Sequence, residues 1–147
     1  MANVIYRHPV NQEPETVSNM TVAGAYLPGI LVTEDGDEFT VATAADIEAE
    51  LLILSNRQFY DQDITTAYAS GDTGVAYRPK PGEVYQARLA AATYAKGAPL
   101  TVGASGYLTA AGASERVLAF FDGTAGAISA GALADVRIAN SFLTASA

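Results

Sequence analysis

The dense turn punctuation of residues 71–112 constrains the fold of this chain more than any other sequence feature. The stretch reads GDTGVAYRPKPGEVYQARLAAATYAKGAPLTVGASGYLTAAG, in which short apolar or alternating runs are separated by Gly, Pro or Asp. Glycine permits positive φ, and proline fixes φ while removing a backbone donor, so both residues favour turns. Strand-sized runs at this spacing predict a compact all-β domain built from antiparallel strands.

Two hairpins are predicted from turn residues that lie between β-prone runs. The runs ILVT and FTVA flank the acidic turn EDGDE at residues 34–38, and Asp-Gly in such a position is a strong hairpin signal. The runs LTV and YLT flank the turn GASG at residues 103–106. A phosphate-binding loop needs Lys-Ser or Lys-Thr after its last glycine, so we interpret GASG as a turn.

Further runs have the length and pattern of strands. They are residues 51–54, which read as fully buried, and residues 75–78, 84–91, 115–121 and 134–139. Residues 44–50 are expected to form one helical turn capped by Asp46, or a loop. About eight short strands in one chain predict a small antiparallel β-barrel or sandwich.

For residues 84–91, helix propensity and the alternation of apolar and polar residues predict different structures. The alanine-rich segment that begins here favours a helix on intrinsic preference. Tyr85, Ala87 and Leu89 nevertheless alternate with Gln86 and Arg88, which is the pattern of a half-buried strand. Because a Pro-Gly turn precedes the run, we predict a strand.

The chain of 147 residues suits a single domain, and we divide it into three segments. Residues 1–20 are expected to form an extended N-terminal arm, because Pro9, Pro14 and scattered apolar residues show no periodicity. Its apolar residues would bind a neighbouring subunit, or the segment is a frayed terminus. Residues 21–143 are expected to form the β domain, and residues 144–147 a frayed tail.

The composition argues against several classes of protein. The chain has no cysteine, which removes disulfides, thiolate nucleophiles and cysteine-based zinc sites. Its net charge of −8 opposes binding to nucleic acid, whose phosphates attract basic surfaces. Its longest apolar runs are too short to span a membrane, and its first residues lack the layout of a secretory signal. We therefore expect a protein that is made and kept in a cytoplasm.

The charge is distributed unevenly along the chain. Residues 1–63 hold 11 of the 16 acidic residues but only two of the eight basic ones, whereas the remainder is close to neutral. A solubilising acidic surface explains this distribution. The alternative is an acidic face that points outward and a nearly neutral half that docks against a partner.

No catalytic residue, cofactor or metal site is predicted. The single histidine, His8, lies in the expected arm, where a general base would not be held against a nucleophile. The carboxylates of residues 34–38 lie in an expected exposed turn, and Asp35-Gly36-Asp37 lacks the ligand ladder of an EF-hand. The aromatic residues are expected in a core or an interface.

The order of motifs resembles the head decoration, or cement, proteins of tailed bacteriophages with HK97-type capsids. The resemblance covers roughly residues 21–140 and lies in LPGILV at 27–32, SGDTGVAYRP at 70–79, GEVYQARL at 82–89, YAKGAPLTVG at 94–103 and VRIA at 136–139. Residues 1–20 have no counterpart in it.

The resemblance implies a structural protein of the virion. Such proteins bind the outside of a mature head, commonly as trimers at local three-fold axes, and they bridge neighbouring subunits of the major capsid protein. They help the shell resist the pressure of packaged DNA and carry no catalytic residue or cofactor. Synthesis in the cytoplasm of a bacterial host follows from the same resemblance.

The candidate contact residues for the capsid or a neighbouring subunit come from the arm and from the basic positions of the neutral half. They are Val4, Ile5, Tyr6, Arg7 and Val10, with Arg78, Lys80, Arg88 and Arg116. Two alternatives stay open. One is a receptor- or carbohydrate-binding β module of a virion, which would show exposed aromatic residues and carboxylates on loops, and the other is a small hydrolase.

Overall fold

A computed structural model describes residues 3–143, apart from the side chain of Ser141. These residues form an all-β structure, as the sequence predicts, and the tail expected at 144–147 lies outside them. The strands are β1 (Tyr6–His8), β2 (Thr16–Val22), β3 (Leu31–Asp35), β4 (Glu38–Val41), β5 (Leu52–Ser55), β6 (Thr73–Tyr77), β7 (Val84–Arg88), β8 (Ala92–Tyr94), β9 (Pro99–Val102), β10 (Leu108–Ala110), β11 (Arg116–Phe121), β12 (Gly126–Ile128) and β13 (Leu133–Leu143).

The first half of the chain forms a closed five-stranded barrel in the order β2-β4-β3-β5-β6. All its pairs are antiparallel except β2 with β4, which run parallel. Apolar side chains that alternate along these strands, together with Ile30 and Tyr68 outside them, fill the barrel interior. They are Met20, Val22, Ile30, Val32, Phe39, Leu52, Leu54, Tyr68 and Ala76.

The second half, together with β1 from the N-terminus, forms a six-stranded sheet in the order β1-β7-β13-β11-β9-β10, with β12 and β8 as a separate pair. One side of this sheet packs against the outside of the barrel. Leu31, Ile53 and Tyr77 of the barrel share this second core with Tyr85 and other sheet residues. The molecule therefore has one core inside the barrel and one between the barrel and the sheet.

Both predicted hairpins are present. β3 and β4 pair across Gly36, which has φ +63°, and β9 pairs with β10 across residues 103–106. In the second hairpin Gly106 has φ +73°, and a Cβ there would lie 2.7 Å from the carbonyl oxygen of Leu31. This glycine permits the hairpin tip to pack directly on the barrel.

Residues 84–88 form a strand. The alternation of apolar and polar side chains therefore predicts this segment correctly, and helix propensity does not. The expectation that this strand is half-buried is wrong, since every residue of β7 is buried. The amide Nε2 of Gln86 donates to the carbonyl of Val4 at 2.6 Å. The N-terminal residues thus cover Gln86, which the sequence pattern places in solvent.

The expected N-terminal arm is not separate over residues 3–20. Tyr6 pairs with Tyr85 at the edge of the large sheet, and β2 pairs with β6 to close the barrel. The side chain of Ile5 is fully buried. Segments without periodicity of their own are ordered here by strands that lie far away in the sequence.

Residues 44–46 form the single turn that the sequence allows, as a 3₁₀ turn. The capping residue is Thr43 rather than Asp46, because the Thr43 side chain accepts from the amide of Ala45 at 3.3 Å. Asp46 completes the cap by accepting from the amide of Thr43 at 2.8 Å. Within residues 3–143, no helix has the length and apolar character needed to cross a bilayer.

Candidate functional site

The structure separates the nine candidate contact residues into buried, partly buried and exposed groups. Ile5 is fully buried and Arg88 is 8% exposed, so their assignment to a contact surface is wrong. Ile5 belongs to the core between barrel and sheet. Val10, by contrast, is 83% exposed, and the Lys80 side chain is 62% exposed.

Arg88 joins the barrel half to the large sheet. Its guanidinium donates from Nε to the carbonyl of Pro28, from Nη1 to that of Gly131 and from Nη2 to that of Ile64, each at 2.7 Å. Burial lowers the pKa of this guanidinium from its ordinary value. Three backbone carbonyls from three separate segments therefore explain why an arginine lies inside the molecule.

Arg78 lies in a network of carboxylates at the surface. Its Nη1 is 3.0 Å from Glu15 and its Nη2 is 3.3 Å from Glu34, while its Nε contacts Glu50. The hydrogen bond to Glu15 is the main cause that raises the pKa of Arg78. Lys80 approaches the same Glu15 at 3.6 Å. Because acids outnumber bases here, Arg78 and Lys80 lie in an acidic part of the surface.

The remaining candidates have contacts within the chain. Arg116 donates from Nη1 to the carbonyls of Ile47 and Ala49 at 2.8 and 3.0 Å. Arg7 pairs with Asp135 at 3.1 Å. The ring of Tyr6 packs with those of Tyr77 and Tyr85, and Val4 is partly buried. Their role in binding a capsid stays a prediction.

An exposed aromatic pair, Phe59 and Tyr60, lies on the turn after β5. The Phe59 side chain is completely exposed and that of Tyr60 is 75% exposed. The expectation of a core or an interface for the aromatic residues did not single out this pair. Its sequence context contains a signal, because the polar residues RQ and DQ flank the two aromatic residues and predict an exposed turn.

This turn, which we call the aromatic turn (residues 57–62), is held by internal hydrogen bonds. Gln62, 7% exposed, accepts from the amide of Arg57 at 2.8 Å and donates to the carbonyl of Thr66 at 2.9 Å. The Arg57 guanidinium lies 5.0 Å from the ring centroid of Tyr60 and 5.1 Å from that of Tyr68. It also pairs with Asp72 at 3.1 Å. The exposed rings therefore project from a fixed support.

A groove of about 620 Å³ runs between the aromatic turn and the outer face of the barrel. Its floor comes from β2 and β6, with Thr16, Ser18 and Thr73 exposed along it. Glu13 lies on its wall. Polar side chains together with Val75 and Tyr77 of β6 thus line the floor, and the rings of the aromatic turn lie at one side.

The comparisons with known proteins show a likeness in structure. No protein-family model and no curated protein matches the chain. Among solved structures, the chain is similar to the crystal structure of the N base of head fiber gp8.5 in bacteriophage phi29. The TM-score is 0.58 at 18% sequence identity, over 86% of this chain and 97% of that chain. The two chains share a fold.

A second exposed apolar surface lies at the end of β13. Phe142 and Leu143 are 48% and 69% exposed, and both line a depression together with Ile47 and Arg116. The ring of Phe142 lies 5.9 Å from that of Phe120. The depression and the groove beside the aromatic turn share no lining residue, so they are two separate surfaces.

The groove and the depression are two candidate binding surfaces among the described residues. Among residues 3–143, no three His, Asp or Glu side chains come together in a way that would hold a metal ion. The carboxylates around Arg78 form ion pairs at a partly exposed surface. The best-built site is therefore the groove with its aromatic turn.

Proposed function

We propose that this protein is a structural component of a bacteriophage virion that decorates the outer surface of the mature head. In this proposal it bridges neighbouring subunits of the major capsid protein and stabilises the shell against the pressure of packaged DNA. It acts by binding and not by catalysis, without a cofactor, and is made in the cytoplasm of the bacterial host. Nucleic acid and membranes are not its partners.

The observation that carries the proposal is the fold likeness to the base of a head fiber. The likeness extends over 97% of that base, so it is not confined to a common β-hairpin. The order of sequence motifs points independently to proteins of phage heads. The two lines of argument agree on the head as the place of action, and cement activity is the finer part of the proposal.

We further propose a homotrimer at local three-fold axes of the capsid. Three copies that bind three equivalent sites at once gain avidity, so modest contacts suffice for stable attachment. Phe142 and Leu143 supply exposed apolar area on the sheet half. Light scattering on the purified protein tests the assembly, and a mass about three times the 15.2 kDa of one chain is expected.

Sedimentation with heads that lack the protein tests the function. We expect co-sedimentation that saturates at a fixed ratio to the major capsid protein. Decorated heads should also release their DNA at a higher temperature than undecorated heads. If the protein binds neither immature nor expanded shells, the proposal is overturned.

Lysine variants test which surface makes the contact. The exposed candidate Lys80 has a matched control in Lys96, whose side chain is 68% exposed and lies 3.2 Å from Asp122. We expect Lys80→Glu to weaken binding to heads at low salt, whereas Lys96→Glu should not. Val10→Asp is the corresponding test for the N-terminal segment. Deletion of residues 1–20 is unsuitable, since it removes most of β2 from the barrel.

The alternative role, a receptor- or carbohydrate-binding module of a virion, is favoured by a specific observation. The aromatic turn exposes two rings next to the carboxylate of Glu13. Attachment to a head and recognition of a ligand would use different surfaces, so the two roles are compatible in one molecule.

A further inference from the structure

We propose that the groove between the aromatic turn and the β2–β6 face of the barrel binds a neutral oligosaccharide. The inference depends on the groove itself and holds whether or not the protein attaches to a phage head. Its parts are the rings of Phe59 and Tyr60, the hydroxyl-lined floor and the carboxylate of Glu13.

The exposed rings provide stacking surfaces. The face of an aromatic ring carries the negative part of its quadrupole and attracts groups with positive edges. The C–H bonds on one face of a pyranose ring are such groups. Phe59 is completely exposed and Tyr60 is 75% exposed, so both rings retain apolar area that stacking would remove from water.

The turn that carries the rings is already ordered. Gln62 fixes it through hydrogen bonds to Arg57 and Thr66, and the amide Nδ2 of Asn56 donates to the carbonyl of Gln62 at 2.7 Å. A ligand that stacks on a fixed ring does not incur the entropy cost of ordering a loop.

The floor of the groove provides hydrogen-bonding groups in the form that sugars use. The hydroxyls of Thr16, Ser18 and Thr73 each donate and accept, and the carboxylate of Glu13 accepts. Asn56 lines the same groove, and its buried Oδ1 has no hydrogen-bond partner among the described residues. Buried acceptors are normally satisfied, so a water behind the lining would satisfy this oxygen, which is itself too buried to contact a ligand.

The lining distinguishes a sugar from a protein partner. The centres of protein interfaces are apolar, and serine and threonine are under-represented among their strongest contacts. This groove combines a hydroxyl-rich floor with aromatic walls. Its volume of about 620 Å³ lies within the range of sites for small ligands.

The charge of the site favours a neutral sugar over an acidic one. The Arg57 guanidinium is already paired with Asp72 and with two tyrosine rings. Glu13 is the carboxylate in the lining, and the chain as a whole carries −8. Acidic glycans are therefore repelled.

The test is a titration of the purified protein, without heads, followed by amide chemical shifts. The probes are chitotetraose, maltoheptaose and cellohexaose, with polysialic acid as the acidic comparison. We expect at least one neutral probe to shift the amides of residues 57–62 and of β6, and polysialic acid to shift none of them.

Four variants complete the test, namely two single substitutions, their combination and a control. Phe59→Ala and Tyr60→Ala should each weaken binding of that probe by about tenfold or more. Lys96→Ala, at an exposed side chain that does not line the groove, should leave the affinity unchanged. Absence of shifts with all neutral probes at millimolar concentration would overturn the proposal, as would shifts that persist in the Phe59→Ala, Tyr60→Ala double variant. Attachment to heads that depends on Phe59 in the absence of any sugar binding would also overturn it, and would make the groove a protein contact.

Discussion

Two arginines in the middle of the chain accommodate their charge in opposite ways. Arg88 is buried and donates to three backbone carbonyls at the junction of barrel and sheet. Arg78 lies at the surface among three carboxylates. In the interior, loss of a donor leaves carbonyls without partners, which is costly. At the surface, water and salt screen the attraction between charges. The junction should therefore determine stability, and the surface network should contribute little.

The largest expected effect comes from Arg88. Arg88→Met should destabilise the fold by about 3–5 kcal/mol, or prevent folding, because buried carbonyls of Pro28, Ile64 and Gly131 lose their donor. Urea unfolding followed by circular dichroism measures the change.

Arg88→Lys is the informative companion, since it keeps the charge. A single ammonium lacks the planar fork of a guanidinium and does not reach three carbonyls in that geometry. We expect this variant to fold and to lose stability as well. Stability equal to the wild type would mean that charge alone matters at the junction, and the contrast between the two arginines would fail.

The sequence predicts the parts of this structure that are determined by residues close together in the chain. The hairpin around Gly36 and the alternation of β11, with Val117, Ala119 and Phe121 buried on one face, follow from neighbouring residues. Both predictions are confirmed. The burial of Arg88 depends on carbonyls from distant segments, and a backbone carbonyl has no sequence signature. That part of the fold was therefore not predictable from a pattern.

At the candidate site, too, local features could be predicted from the sequence and features that depend on distant segments could not. The aromatic turn lies in a polar context that predicts exposure, but an aromatic residue by itself predicts a core. The groove beside it exists only because β2 pairs with β6, across a long separation in sequence. Residues 3–20 lacked periodicity and were expected to extend as an arm, whereas pairing with β6 and β7 places them in the domain.

Buried tyrosines should make the stability of the fold depend on pH in the alkaline range. The Tyr68 hydroxyl donates to the carbonyl of Ser55 inside the barrel, and burial raises the pKa of Tyr68 from 10.0 to about 12. Burial likewise raises the pKa of Tyr85. Above pH 10 the unfolded chain loses these protons first, so ionisation favours unfolding.

Ionisation of Tyr68 should accordingly leave the free energy of unfolding unchanged below pH 10, the ordinary pKa of a tyrosine. Between pH 10 and about 12 it should lower the free energy of unfolding. The loss that Tyr68 causes is about 2–3 kcal/mol at most. Urea unfolding at a series of pH values measures it, and Tyr68→Phe should flatten the curve. A profile that is the same in wild type and variant would show that Tyr68 does not control the alkaline transition.

The hairpin tip offers a smaller test of the junction, with a matched control. At Gly106 a Cβ would lie 2.7 Å from the carbonyl oxygen of Leu31, whereas at Gly97, with φ +83°, it would meet nothing within 4 Å. Both substitutions by alanine incur the strain of positive φ, about 1–2 kcal/mol. Only Gly106→Ala should add the clash with the barrel, by about a further 1–2 kcal/mol. If both variants lose the same stability in thermal unfolding, a Cβ at position 106 does not clash with the barrel.

The smallest effect is expected at Arg78, and its dependence on salt is more informative than its size. Arg78→Ala should cost about 1 kcal/mol or less at low salt, because it leaves Glu15, Glu34 and Glu50 to repel one another. Added salt should reduce this cost, and a second substitution, Glu15→Gln, should recover part of it. Urea unfolding at low and high salt measures both effects. A loss of several kcal/mol that salt does not change would place Arg78 with Arg88 as part of the junction, and burial would then no longer separate the two arginines.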